Sequence, residues 1–134
     1  MPRISTSRAA ERRSVPGMFE AAWAELDGYS VEIERWEVDM DFGFAFKGLP
    51  DDRCPASHVG YVVKGKVIVQ MADGTEEVFE GGDAYVLPPG HIPLVTAGSE
   101  FVTFTPLEEA KGMEQVVQQN MMQYMAEHGI DVQT

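Results

Sequence analysis

Two short blocks frame the stretch of sequence from Cys54 to Pro93: CPASHVGYVVKG at residues 54–65 and GDAYVLPPGHIP at residues 82–93. Each block combines a run of β-branched and aromatic residues, typical of a strand, with glycine and proline residues that favour a turn. Between the blocks, Asp73-Gly74 separates two further strand-like runs, which is the strongest short-range signal for a β-hairpin. The stretch therefore predicts a series of short antiparallel strands.

Strand-like patterns continue on both sides of this stretch. In residues 29–47 the apolar positions alternate with a period of two, but they move from odd to even numbers near Arg35, which predicts a β-bulge or a break between two strands. Residues 92–96 and 101–105 add two short strands, and many short strands with regular turns are typical of an antiparallel sandwich or barrel. Three aromatic residues share one face of the early strands, where they fill the core or line a ligand pocket: Phe42, Phe44 and Phe46.

Helical spacing of apolar residues is found near both ends of the chain. Residues 19–26 fit one helical stripe and Gly28 stands where a C-terminal cap would be, which predicts a short N-terminal helix. After Pro106 the apolar spacing is again helical, which predicts an amphipathic C-terminal helix that ends near Gly129. The apolar stripe of that helix is Met113, Val116, Val117, Met121, Tyr124 and Met125.

The length of 134 residues is typical of a single domain. We divide the chain into a basic, mobile N-terminal arm (residues 1–16), a β-barrel with a short leading helix (17–106), and a C-terminal helix and tail that pack on the barrel (107–134).

Charge and cysteine content exclude several classes of function. The net charge is −12, although residues 1–16 are basic, so the folded body repels nucleic acid and anionic lipid. The single cysteine, Cys54, excludes an internal disulfide, and no apolar run approaches the length that spans a bilayer. No secretory signal pattern is present, and we therefore expect a cytoplasmic protein that binds neither nucleic acid nor membranes.

The two blocks resemble the two motifs of the cupin superfamily, a small jelly-roll β-barrel, over residues 31–105. The second cupin motif resembles Gly, five residues, Pro-x-Gly, two residues and His, which Gly82 and Pro88-Pro89-Gly90 match. The resemblance implies an all-β protein with an antiparallel jelly-roll barrel, a short N-terminal helix and a C-terminal amphipathic helix.

The usual metal ligands of cupins are absent. The first cupin motif resembles His-x-His, three or four residues, Glu, six residues and Gly, and Gly65 places Asp52, Cys54 and His58 at its ligand positions. The last histidine of the second motif falls on Pro93, which cannot bind a metal. Metal-dependent oxygenation or isomerisation, the common chemistry of cupins, is therefore not implied in its usual form.

A different set of donors is present instead. Cys54 and His58 are four residues apart, so in an extended segment both side chains point to one face, and the resemblance implies that this face is the barrel interior. The chain is also similar to small bacterial cupins with Cys-x-x-x-His-x-Gly-Tyr-Val and Pro-Pro-Gly-His, which implies that Cys54, His58 and His91 act together. With Asp52 as a fourth candidate, the set suits one divalent ion of zinc, iron, nickel or copper.

The alternative is that these residues have only a structural role, since a free cysteine packs as a small apolar residue. Three functions follow: a metal-dependent enzyme acting on a small molecule, a metal-free module that binds a small ligand, or a mainly structural dimer. The candidate pocket residues are Phe44, Phe46, Tyr61, His58 and His91.

A homodimer is expected for any of the three functions. Residues 59–63 are apolar on both faces of their strand, whereas a strand with one solvated face should alternate apolar and polar residues. The outer face therefore needs a cover, and twofold pairing of two copies is the commonest solution.

Overall fold

Residues 2–8 and 11–133 are described by a computed structural model, in which the strands form two antiparallel sheets. The strands of this described chain are β1 (Glu11–Val15), β2 (Phe19–Leu26), β3 (Tyr29–Trp36), β4 (Met40–Asp41), β5 (His58–Lys64), β6 (Lys66–Met71), β7 (Glu76–Glu80), β8 (Ala84–Leu87), β9 (His91–Val95) and β10 (Ser99–Pro106). The α-helix α1 (Leu107–Glu127) follows β10, and 3-10 helices lie at Phe42–Phe46 and Pro50–Asp52.

The connections between the strands are those of a jelly roll. The larger sheet has the order β1-β2-β3-β10-β5-β8, and the smaller sheet has the order β4-β9-β6-β7. Beyond β3 the chain crosses repeatedly from one sheet to the other, and every pair of strands is antiparallel. The predicted antiparallel jelly-roll barrel is therefore confirmed.

Apolar side chains fill one part of the space between the sheets. Trp36 is 1% exposed, stacks on Phe19 with ring centroids 4.8 Å apart, and meets Phe42 edge-on at 5.2 Å. Val62 of the larger sheet and Val69 of the smaller sheet are also fully buried in this core cluster. The core thus joins both sheets and leaves the rest of the interior to a cavity.

The hairpin predicted at Asp73-Gly74 joins β6 and β7. Gly74 has a φ of +87°, which glycine adopts at little cost, and the Thr75 N–H donates to Asp73 Oδ1 at 2.9 Å. The local turn chemistry therefore suffices to set the register, in which Lys66 pairs with Glu80.

The predicted N-terminal helix is wrong, because residues 19–26 form β2. The spacing of Phe19, Ala22 and Leu26 fits a helix, but Phe19, Ala21 and Trp23 also fit one face of a strand. β2 pairs along its whole length with β3. Asp27 and Gly28 between them have positive φ values of 47° and 86°, so Gly28, which we interpreted as a helix cap, is part of a hairpin turn. Residues 11–15, which we placed in the basic arm, form β1 on the other edge of β2.

The region after β3 also differs from the prediction. Pairing of β3 with β2 is continuous from Tyr29 to Trp36, so no bulge occurs at Arg35, and the chain leaves the sheet after Trp36. Residues 42–46 form a 3-10 helix rather than a strand, because the Asp41 side chain accepts a hydrogen bond from the Gly43 N–H at 2.9 Å and begins the helix.

The C-terminal helix is confirmed as α1, and side-chain hydrogen bonds attach it to the barrel. Glu109 Oε1 accepts hydrogen bonds from the Ser57 N–H at 2.9 Å and the Ser57 hydroxyl at 2.8 Å. Asn120 donates to the carbonyl oxygens of Ala45 and Lys47, both at 2.9 Å. Among the described residues, no helix combines the length and the apolar character that crossing a membrane requires.

Candidate metal centre and cavity

A cavity of about 630 Å³ lies inside the barrel. Both sheets and α1 contribute to its wall, and most of the wall is apolar. The polar groups of the wall include Cys54, His58 and His91 at one place and Glu32 and Glu34 at another. A mainly apolar cavity with polar groups at defined places is typical of a site for a small organic ligand.

Two strand ends and a backbone bridge bring the predicted donors together. His58 is the first residue of β5 and His91 is the first residue of β9. Cys54 pairs with His91 in an isolated bridge, in which the Cys54 N–H donates to the His91 carbonyl at 3.1 Å and the Gly90 N–H donates to the Cys54 carbonyl at 2.8 Å. The backbone therefore holds the cysteine beside the second block of the sequence.

The donor atoms of Cys54, His58 and His91 lie within 4.8 Å of one another. Cys54 Sγ is 3.4 Å from His58 Nε2, and the two imidazole rings have centroids 4.9 Å apart with an angle of 65° between their planes. Cys54 and His91 are each 1% exposed. The grouping that we predicted for these three residues is thus present in the structure.

Hydrogen bonds orient both imidazole rings. His91 Nδ1 lies 2.7 Å from the Pro88 carbonyl oxygen, which can only accept, so Nδ1 carries the proton and Nε2 keeps its lone pair. His58 Nδ1 lies 2.7 Å from Thr105 Oγ1, and donation to this hydroxyl leaves the Nε2 lone pair facing Cys54. In this tautomer both rings offer Nε2 as a ligand, and the second nitrogen is held by the protein as in many metal sites.

The protonation states favour neutral groups. Burial and, to a smaller extent, the neighbouring His91 lower the pKa of His58 to about 4. The carboxylate of Glu109 opposes this shift. Burial also lowers the pKa of His91, while its hydrogen bond to Pro88 raises it. The imidazoles are therefore neutral near pH 7, which is the form that binds metals.

The thiol of Cys54 is also in its neutral form. Burial raises its pKa to about 11; a backbone hydrogen bond at Ala56 opposes the rise, while the charges of Glu32 and Glu109 add to it. A nucleophilic cysteine needs a lowered pKa, so this environment does not favour Cys54 as a nucleophile. A metal ion would displace the thiol proton directly.

The other predicted site residues have different surroundings. Asp52 is exposed, has a φ of +53°, accepts a hydrogen bond from the Gly48 N–H at 2.9 Å, and lies outside the donor cluster. Tyr61 is three residues from His58 along β5, so it points to the outer face, where it is 47% exposed. Phe46 lines the cavity, whereas Phe44 stacks on Tyr124 of α1 with centroids 4.2 Å apart.

Two features of the site were missed in the sequence. Met113 Sδ lies 3.7 Å from Cys54 Sγ, although the two residues are 59 positions apart. Glu32 and Glu34 line the cavity because β3 directs its even-numbered residues, including Trp36, to the interior. In the sequence, Glu32 and Glu34 alternate with Trp36, which predicts that they share its face of the strand. The apolar residues Val31 and Ile33 predicted instead that the other face of the strand is buried.

Glu34 is a half-buried residue whose carboxyl group lies beside that of Glu32. Burial raises its pKa well above the ordinary value of 4.5, and the charge of Glu32 and a hydrogen bond with Glu32 raise it further. Trp36 Nε1–H donates to Glu34 Oε1 at 3.0 Å, and this hydrogen bond lowers the pKa of Glu34. None of the salt bridges of residues 2–8 and 11–133 involves either glutamate. The pair therefore favours a state in which it holds a proton.

Replacement of Glu34 by Gln should change how stability depends on pH. A raised folded-state pKa means that the folded chain keeps this proton at pH values where the unfolded chain has lost it, so the free energy of unfolding falls as the pH rises above 4.5. This group can contribute a slope of up to about 1.4 kcal/mol per pH unit. We expect Glu34→Gln to gain stability relative to the wild type as the pH rises, measured by urea unfolding at several pH values.

The exposed residue Glu37 provides a control for this comparison. Glu37→Gln makes the same chemical change at an exposed position and is measured over the same pH range. A difference between Glu34→Gln and the wild type that does not change with pH would contradict the raised pKa of Glu34.

Comparison with known proteins gives information on the fold. No protein-family model matches the chain, and no curated protein is significantly similar to it. The polyketide cyclase RemF from Streptomyces resistomycificus is 14% identical, with 80% of each chain covered and a TM-score of 0.54. A candidate ethanolamine utilization protein Q from Salmonella typhimurium is 14% identical, with 66% of this chain and 70% of that chain covered and a TM-score of 0.50.

An RmlC-like cupin from Shewanella frigidimarina is 21% identical, with 72% of this chain and 83% of that chain covered and a TM-score of 0.49. Similarity at such identities concerns the fold and not the activity. The two sheets and their order, together with the similarities to RemF and to the ethanolamine utilization protein, lead to one conclusion: the chain has an antiparallel jelly-roll fold of the cupin type.

Proposed function

We propose that the protein is a small-molecule-binding cupin that uses one transition-metal ion held by Cys54, His58 and His91. The observation that carries the proposal is the convergence of three donor atoms within 4.8 Å of one another at the wall of an interior cavity. Thiolate and imidazole are the common protein ligands of such ions, and three protein ligands leave a position for a substrate. The residues present therefore fit a metal, although the donor set differs from the usual set of cupins.

Each part of the chain has a role in this proposal. When bound, the ion would supply Lewis acidity or lower the pKa of a ligand that binds to it. Pro88 and Thr105 hold the two imidazoles in orientation, and the apolar wall excludes water from the ligand. The carboxyl pair of Glu32 and Glu34 offers both a proton donor and an acceptor to a polar group of that ligand.

The metal content of the protein, purified without an affinity tag, tests this function. We expect close to one equivalent of a transition metal per chain, measured by elemental analysis. Because the ion must displace the proton of the Cys54 thiol, whose pKa is about 11, its affinity should fall about tenfold per pH unit on acidification while the imidazoles stay neutral.

A metal-free binding module is the alternative, and the apolar cavity with its carboxyl pair favours it as a second candidate. Protein that contains almost no metal, and that also fails to take up Zn(II) or Co(II) when these are added, would contradict the metal site. Binding of small apolar ligands by such protein would support the alternative.

A homodimer is part of the proposal, and the outer face of the larger sheet supports it. Apolar residues on neighbouring strands of this face are exposed in the single chain, and Val86 reaches 76% exposure. We call these residues the outer-face patch: Tyr29, Val59, Tyr61, Val63, Val86 and Phe104. An uncovered patch of this kind is unusual on a monomer, and a second copy can cover it by twofold symmetry.

Tyr61→Lys should dissociate this dimer. A lysine in the middle of the outer-face patch would be buried without a partner, and loss of a central aromatic residue commonly costs about 2 kcal/mol or more of binding free energy. We expect light scattering coupled to size exclusion to give twice the mass of one chain for the wild type and the mass of one chain for Tyr61→Lys.

Val78→Lys is the matched control, because Val78 is 49% exposed on β7 of the smaller sheet. This variant should remain a dimer. A wild type with the mass of one chain at low micromolar concentration would contradict the dimer, and dissociation of Val78→Lys instead of Tyr61→Lys would place its interface elsewhere.

We also propose that the protein is cytoplasmic. Its one cysteine is a free, buried thiol, and the cytoplasm keeps thiols reduced. Fractionation of cells that contain the protein at its natural level would test this location.

A further inference from the structure

We propose that Met113 is a fourth ligand of the metal site and that the metal is copper. The inference rests on the proposed function, since it adds to the same site a weak fourth ligand, which a substrate can displace, and names the ion. Met113, a residue of α1, takes the place of Asp52, which the sequence had suggested as the fourth ligand.

The sulfur atom of Met113 lies close to the sulfur atom of Cys54. Cys54 Sγ lies 3.7 Å from Met113 Sδ and 3.4 Å from His58 Nε2. An ion with bonds of about 2.3 Å to a thiolate and about 2.0 Å to an imidazole holds these two donors about 3.5 Å apart. The distance between Cys54 and His58 matches this edge of a coordination sphere, and the Met113 sulfur lies close enough to Cys54 for a weak, longer bond to the same ion.

The thiol of Cys54 faces both neighbouring side chains. Cys54 carries one hydrogen, which it can donate to His58 or to Met113, and the thioether sulfur has no hydrogen to give back. An ion in place of this hydrogen would bind the thiolate, the imidazole and the thioether together.

The fold holds Met113 over the cluster. Glu109, one helical turn before Met113, is bound to Ser57, and Asn120, two turns after it, is bound to the carbonyl groups of Ala45 and Lys47. Both contacts are made with the segment that surrounds Cys54 in the sequence. The position of the thioether is therefore set on either side by hydrogen bonds with the barrel.

The chemistry of the four donors points to copper. Thiolate and thioether are soft ligands that favour Cu(I), and two imidazoles, a thiolate and a weak methionine ligand are the donor set of copper electron-transfer sites. Zinc sites in proteins use thiolate, imidazole and carboxylate. The methionine is the ligand that separates copper from zinc at this position.

Binding of two ions by the full chain tests the assignment. Cu(I) affinity is measured anaerobically by competition with a chromogenic chelator, and Co(II) serves as a probe of the cysteine and histidines because its thiolate complexes absorb in the visible range. Met113→Leu keeps an apolar side chain of similar volume but removes the sulfur. We expect it to lower the Cu(I) affinity by about tenfold or more while the Co(II) affinity changes by less than about threefold.

Met121→Leu is the matched control, because Met121 lies on the same helix, is also partly buried and also lines the cavity. It should leave both affinities unchanged. Cu(II) added to the wild type should give an intense sulfur-to-copper band in the visible spectrum, and Met113→Leu should shift this band.

The outcomes distinguish this inference from the proposed function. If Co(II) binds through Cys54 but Met113→Leu changes neither the Cu(I) affinity nor the Cu(II) spectrum, the inference fails and the metal site stands. If neither Co(II) nor Cu(I) binds to the folded wild type, both fail.

Discussion

His58→Ala should lose at least about 100-fold in affinity for Co(II) or Zn(II), because loss of even an outer partner of a metal ligand commonly costs about 10- to 100-fold and loss of the ligand itself costs more. His58 supplies Nε2 at 3.4 Å from Cys54 Sγ, and the small side chain of alanine offers no replacement donor. His58 is only half-buried, so the fold should tolerate its truncation. The affinity is measured by competition with a metal-binding dye, and circular dichroism checks the fold.

His128→Ala provides the matched control. His128 is exposed just after α1, its Nδ1 lies 2.8 Å from the Tyr124 carbonyl oxygen, and it is outside the donor cluster. This variant should bind the metal like the wild type, and His91→Ala should reproduce the loss seen for His58→Ala. Equal affinities for His58→Ala and the wild type would exclude His58 as a ligand and contradict the proposed centre.

Trp36→Ala should destabilise the fold by about 3 to 5 kcal/mol, which is the usual cost of truncating a fully buried aromatic residue. Trp36 is 1% exposed and contacts Phe19 and Phe42, so its removal opens a void between the two sheets. The variant also leaves the Glu34 carboxyl group without the indole N–H that donates to it at 3.0 Å. Denaturant unfolding of the metal-free protein measures the loss.

The second tryptophan of the chain serves for comparison. Trp23 is half-buried, lines the cavity, and has the guanidinium group of Arg13 4.9 Å from its ring centre. Because Trp23 is only half-buried whereas Trp36 is fully buried, Trp23→Ala should cost clearly less than Trp36→Ala. Equal losses for the two variants would mean that Trp36 does not anchor the core as we describe.

The barrel could be predicted from the sequence because its signals are local. Asp73-Gly74 and Pro88-Pro89-Gly90 force turns through the conformations of their own residues, and the alternation of apolar residues between turns follows from the two-residue period of a strand. The same period placed Cys54 and His58 on one side of the chain. The amphipathic pattern after Pro106 likewise predicted α1.

Other parts depended on contacts between distant residues. The pattern of residues 19–26 fits both a helix and a strand. These residues form a strand because they pair with the edge of β3. The polar residues Glu32 and Glu34 face the interior because Trp36, on the same face, fills the core between the sheets. Local hydrophobicity had indicated the opposite face, and only the packing of the two sheets settled the orientation.

The candidate site shows the same division. Cys54 and His58 are only four residues apart in the sequence, whereas His91 reaches them through a backbone bridge to Cys54 and Met113 reaches them through the docking of α1. No pattern within either segment encodes these two contacts, because they arise from the relative placement of elements that are far apart in the chain. The sequence by itself thus determined the barrel and one pair of donors, and tertiary packing decided which further side chains complete the cluster.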